Sequence, residues 1–201
     1  MDAEQPHFAG CNCENLRYMK TTLYAVLCAA FCITMAAAEQ GAPAAGKIYD
    51  EQFSSLEREL VPLAEAMPAD KYDFAPTHGE FTGVRTFALQ AKHVAYIIYA
   101  VSAAILGQKN PSQTVAENGP AGLTSKDQIV QYLKDAFAYG HKAMASLTNA
   151  NQLDVIASPF GGDKITRVSM ASTALWHSYD HYGQMVVYLR MNGVIPPASR
   201  H

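Results

Sequence analysis

The chain has 201 residues, 49% of them hydrophobic, which is enough apolar content for one packed domain and argues against extended disorder. A formal net charge of -3 with 16% charged residues leaves no basic surface of the kind nucleic acid requires. All four cysteines (Cys11, Cys13, Cys28 and Cys32) fall in the first part of the chain, and that placement decides what chemistry the remainder can carry.

Residues 1–38 read as a leader rather than as part of the domain. From Met19 the sequence MKTTLYAVLCAAFCITMAAAEQ offers a short positive start at Lys20, an apolar run from Leu23 to Met35, and Ala36-Ala37-Ala38 before Glu39. This is the layout of a cleavable secretory signal peptide, 19–38. The apolar run has about 13 residues, short of the roughly 20 needed to span a bilayer, so membrane attachment is expected only if the segment stays uncleaved. Met19 is the expected start, in preference to Met1. Cleavage after Ala38 removes every cysteine, which excludes a disulfide framework, a cysteine-based zinc site and a cysteine nucleophile. Export without disulfides fits a periplasmic, or secreted, location.

Residues 39–46 (EQGAPAAG) are expected as a flexible lead-in. The first helix is expected over about 47–67, with Phe53, Leu56, Leu60, Leu63 and Ala64 at helical spacing, Pro62 kinking it or starting a new turn, and Pro68 ending it. A turn-rich connector (68–83) precedes a second helix over about 83–106, closed by Gly107. After the polar segment 108–122, Ser125 and Gln128 form a capping-box pattern that opens a third helix to about Leu147. A connector over 151–166 leads to a fourth helix from about Arg167 to Asn192, stopped by Gly193 and Pro196-Pro197. With no strand series and no repeat, the fold class is all-α: a four-helix bundle over 47–199 whose long connections permit an order other than simple up-down.

The fourth helix carries His177 and His181. At about 100° per residue the two lie roughly 40° apart, on one face with Thr173, Gln184 and Tyr188. An i,i+4 imidazole pair can chelate one metal ion, although packed histidines are commoner at that spacing. His93 supplies a third candidate, because its helical stripe (Thr86, Leu89, Ile97, Ala100, Ala104) is nearly all apolar. A buried imidazole left unpaired there would cost about 1–3 kcal/mol. The other histidines of the expected mature chain are His78 in a connector, His141 late in the third helix, and the terminal His201. The pentapeptide HSYDH also matches the spacing of the inverted zinc-protease pattern H-x-x-E-H, with Asp180 for Glu. That pattern needs an acidic ligand well downstream, and the 20 residues after His181 contain no Asp or Glu. The protease reading fails, and Asp180 is expected on a solvated face.

One histidine in the second helix followed by H-x-x-x-H in the fourth resembles the DinB-like superfamily of four-helix metalloproteins. The stretches LAEAMPADKYDFAPT, ALQAKHVAYIIY and WHSYDHYGQMVVYLRMNGVIPPAS carry the resemblance, which covers roughly residues 47–199. It implies a divalent metal ion, zinc or nickel, held by His93, His177 and His181, and a homodimer. It also implies activities ranging from metal-dependent hydrolysis to thiol-dependent transfer, as in the mycothiol-dependent maleylpyruvate isomerase. Export makes a thiol cofactor uncomfortable, since such cofactors are mainly cytosolic. The expected function is an exported metal-dependent hydrolase acting on a small molecule through a metal-activated water. The alternatives are a non-catalytic metal-binding bundle and, less favoured, a thiol-dependent S-transferase. Gln90, Gln184, Tyr182 and Tyr188 are candidates for orienting ligands or substrate, with core packing the simpler role for each tyrosine. No catalytic residue is assigned.

Overall fold

A computed structural model describes residues 45–112 and 117–200. The expected leader and signal peptide (1–38), most of the lead-in and the terminal His201 lie outside the described residues. Four helices build the domain: α1 (Ala45–Ala66), α2 (Phe87–Leu106), α3 (Lys126–Ala145) and α4 (Arg167–Met191). Short 3-10 turns occur at Ala69–Lys71 and Pro197–Ser199. The connector before α4 folds back as a two-stranded antiparallel hairpin, β1 (Val155–Ile156) against β2 (Ile165–Thr166), with Val155 opposite Thr166.

Local chemistry sets most boundaries. Ser125 and Gln128 close a reciprocal capping box at the start of α3, as their spacing predicts. Gly107 ends α2 in the left-handed region at φ 64°. Two expectations shift. Ala45 and Gly46, inside the predicted lead-in, are already helical, and Gly46 packs against the end of α3, where an added Cβ would collide with the Leu147 carbonyl and lie 2.9 Å from that of Met144. α2 begins at Phe87 rather than Gly83. Gly83 adopts φ 79°, outside the right-handed helical region, and the Thr86 hydroxyl accepts from Leu89 N at 3.3 Å as the N-cap. α1 continues through Pro62 to Ala66.

Contacts at the helix ends fix their directions. Lys126 at the start of α3 donates to the Glu65 and Met67 carbonyls at the end of α1 (2.6 and 2.9 Å), so these two helices are antiparallel. Lys92, early in α2, donates to the Pro120 and Leu123 carbonyls just ahead of α3, and Tyr139, late in α3, donates to Gln108 beyond the end of α2. Consecutive helices α2 and α3 are therefore parallel, and the chain must return along the bundle between them. α4 opposes α2, with Arg167 bonded to the Ile105 carbonyl and the Tyr188 hydroxyl donating to the Arg85 carbonyl. The order is up, down, down, up, with α2 packed between α3 and α4 and α1 across from it.

That central position explains why α2 is apolar almost all round. Among the described residues it is the one helix long and apolar enough to cross a membrane, yet it is mostly buried inside the bundle. Phe87 and Ile98 of α2 and Phe53, Leu60, Leu133, Phe137 and Leu189 of the other helices are all fully buried. Each contributes roughly 1.5–3 kcal/mol of hydrophobic stabilisation. Gly140 is small for a packing reason: a Cβ there would lie 2.5 Å from the Phe53 ring.

Candidate metal centre

The antiparallel crossing of α2 and α4 brings His93 against His177 and His181. His93 Nε2 lies 3.0 Å from His177 Nε2, which is 3.1 Å from His181 Nε2. The candidate ligand atoms of all three imidazoles fall within 4.8 Å of one another. His93 and His181 are buried and His177 is half-buried, facing a cleft of about 610 Å³.

The outer nitrogens show which way the rings are protonated. His93 Nδ1 donates to the Glu117 backbone carbonyl at 2.5 Å, and His181 Nδ1 donates to Gln90 Oε1 at 2.5 Å. Both partners only accept, so both rings carry their proton on Nδ1 and turn an Nε2 lone pair inward. Gln90 Nε2 donates in turn to Gln184 Oε1 at 2.8 Å, and Gln184 Nε2 donates to the Asp180 carboxylate at 3.1 Å. This chain runs in one direction from His181 to an anion, polarising the imidazole and raising its basicity as a ligand. Gln90 and Gln184 thus orient a ligand. Asp180 is exposed, as expected, and acts only at the far end of that chain.

Burial pushes all three imidazoles towards the neutral form. For His181 the neighbouring His177 and His93 and the nearby Arg85 guanidinium add to burial, and its pKa falls to about 4. Three imidazoles therefore converge, and His93 and His181 turn Nε2 lone pairs towards His177 Nε2. His177 can offer at most one Nε2–H, and it can satisfy only one of its two neighbours. One lone pair remains without a donor, an arrangement that a divalent cation relieves. The donor set of three nitrogens without a carboxylate suits a borderline transition metal ion rather than magnesium or calcium.

The return connection between α2 and α3 builds one wall. Its position is tied down by Lys92, which is buried and bonded to the Pro120 and Leu123 carbonyls, and by Gly119 packed on the Lys92 stem. Arg85, just ahead of α2, reaches Asn118 Oδ1 with Nε at 2.7 Å and Glu117 Oε2 with Nη2 at 3.4 Å. Trp176 and Phe160, both exposed, line the opening with Pro159, Tyr96 and Thr173. The sequence reading missed Arg85, Glu117 and Phe160. Arg85 carried a weak signal as a lone cation beside a helix start, whereas Glu117 acts on His93 through its backbone and could not be read from its side chain.

The other histidines are elsewhere. His78 is exposed in the first connection. His141 lies between α1 and α3, with Nδ1 2.6 Å from Asp50 Oδ1 and Nε2 3.1 Å from Glu57 Oε2. Tyr188 is buried in the core and Tyr182 is half-buried against it.

Fold and site together define a four-helix bundle carrying a three-histidine cluster suited to metal coordination. The family model described as the DinB superfamily matches residues 52–185, and the chain belongs to that superfamily. Among solved structures it is similar to a DinB-like protein of Bacillus cereus ATCC 10987, at 17% identity and TM-score 0.60, covering 74% of this chain and 93% of the other. It is also similar to a DinB-like protein of Bacillus subtilis, at 20% identity and TM-score 0.56, covering 72% and 91%. At these identities the likeness speaks to the fold. A comparison with curated proteins gives no match.

Proposed function

We propose that the chain is an exported metal-dependent hydrolase acting on a small molecule, with zinc or nickel held by His93, His177 and His181. The observation that carries this reading is the convergence of three inward Nε2 atoms beside an open cleft. Three protein ligands with an accessible remaining side is the pattern of catalytic rather than closed structural sites. A divalent cation supplies Lewis acidity at that point and lowers the pKa of a coordinated water towards about 7. The chain's own part is positional. The Glu117 carbonyl fixes the His93 ring, and the Gln90–Gln184–Asp180 chain fixes His181.

A second reading, a metal-binding bundle without turnover, is favoured by one feature. Among the described residues Glu117 is the one carboxylate lining the cleft, and it is directed at Arg85, so none of them offers a free carboxylate base beside the histidines. Elemental analysis of the purified protein tests the shared premise: about one equivalent of metal is expected, and its persistence in a His93→Ala/His177→Ala double variant would overturn the assignment. An ester, amide and lactone panel with and without chelator separates the readings. Chelator-sensitive turnover supports the hydrolase, and none across the panel supports the binding protein. Export and a dimeric state belong to the same proposal. Mass spectrometry of the secreted fraction should find Glu39 at the N-terminus, and light scattering should find twice the mass of the processed chain.

A further inference from the structure

The cleft above the three histidines is chemically one-sided. Its base holds three imidazoles and one guanidinium, and its opening is aromatic. Arg85 has five N–H donors. Nε is committed to Asn118, which aims the guanidinium, and Nη2 makes only the 3.4 Å contact with Glu117. Among the described residues Nη1 has no acceptor. The Glu117 side chain is 77% exposed against 29% for Arg85, so this ion pair is long, solvated and weak. A partly buried arginine that presents its outer edge to a cavity is matched to a planar two-oxygen anion, which it binds with two parallel hydrogen bonds. Trp176 and Phe160, 59% and 48% exposed, are large apolar surfaces that the described residues leave uncovered beside the cleft's polar groups.

We propose that the cleft takes a small organic carboxylate, its carboxylate on Arg85, its apolar or aromatic body against Trp176 and Phe160, and its remaining polar group towards the histidines. Glu117 is the intramolecular occupant of the same position and is displaced when the ligand enters. This assignment rests on the metal-centre reading for what lies at the base, but not for the anion contact itself. A cation at the histidines would add to the positive potential and favour the same charge on the ligand.

Trp176 is the only tryptophan in the chain, so its fluorescence reports occupancy directly. Metal-loaded and chelator-stripped protein would each be titrated with 3-phenylpropionate and with the neutral 3-phenylpropionamide. About a tenfold preference for the carboxylate is expected in both forms, of the order that an added charged hydrogen-bonded pair supplies. In Arg85→Met the ratio should fall to near one. Arg85→Lys, which keeps the charge but loses the planar fork, should fall between, and it guards against a folding defect in the methionine variant. Glu117→Gln should tighten the carboxylate a few-fold without touching the amide. Equal affinity for the two ligands in the unaltered protein, or a preference that survives Arg85→Met, overturns the proposal. Metal content measured on the same samples keeps the two readings apart. Absent metal with an intact Arg85-dependent preference overturns the metal centre alone, and bound metal without preference overturns the carboxylate site alone.

Discussion

Two groups of histidines sit in this bundle and behave in opposite ways. At the α2–α4 crossing, His93 and His181 turn Nδ1 outward to neutral oxygens and Nε2 inward to other imidazoles, and burial lowers their pKa values. Between α1 and α3, His141 has a carboxylate on each nitrogen. Burial opposes its charge, but hydrogen bonds to Asp50 and Glu57 outweigh it and the pKa is raised. Both carboxylates accept, which favours a proton on each nitrogen and an imidazolium that joins two helices. What faces the two nitrogens separates a candidate metal-binding histidine from an ion-pair histidine, because burial opposes the charge of both kinds.

The largest effect should come from His177, which neighbours both of the other rings. His177→Ala should lower bound metal from about one equivalent to near zero with the helical circular dichroism unchanged, whereas His141→Gln should leave metal content as it was. Equal loss in both variants would erase the distinction between the two groups. Next, Gln90→Leu removes the acceptor that orients His181 and should weaken metal binding roughly 10–100-fold by calorimetry, with Gln90→Glu restoring most of it. Unchanged affinity in Gln90→Leu would show that the hydrogen-bonded chain is incidental.

Gly140 stands next to His141 in α3 but packs on Phe53 and Ile98, away from the three-histidine cluster. Gly140→Ala forces the Phe53 ring and Ile98 to move and should lower stability by about 1–3 kcal/mol without changing metal affinity. The smallest effect is the pH dependence of the His141 link. A folded pKa above the unfolded value near 6.5 gives a contribution that is complete below that pH and is lost as pH rises through the folded value. With its partners partly exposed, the link is worth roughly 0.5–1 kcal/mol. The melting temperature of His141→Gln should therefore fall short of the unaltered protein by a couple of degrees at pH 5.5, converging by pH 9. A gap that is constant from pH 5.5 to 9 would mean that the ring is neutral.

Much of this was legible in the sequence because it is local. The 3.6-residue period shows His177 and His181 on one face, the Ser125–Gln128 spacing gives a capping box, and Gly107 marks a helix end. His93 stood out because an imidazole in an apolar stripe needs a partner. The start of α2 was misplaced because Thr86 caps it three residues beyond the apolar pattern's first glycine. The walls of the cleft were hidden for a stronger reason. The return between α2 and α3 sets Glu117 against His93 through a main-chain oxygen, and every residue type has one.

The sequence by itself determined the all-α class, four helices and three histidines able to share an ion, since each follows from periodicity, capping or the pairing of buried polar groups. Only the tertiary structure decided that α2 and α3 run parallel, that a connection therefore crosses the site, and that Arg85 and an aromatic opening face the same cleft. Those facts depend on which distant residues meet. Sequence spacing does not encode such meetings where helices are joined by connections long enough to cross the bundle.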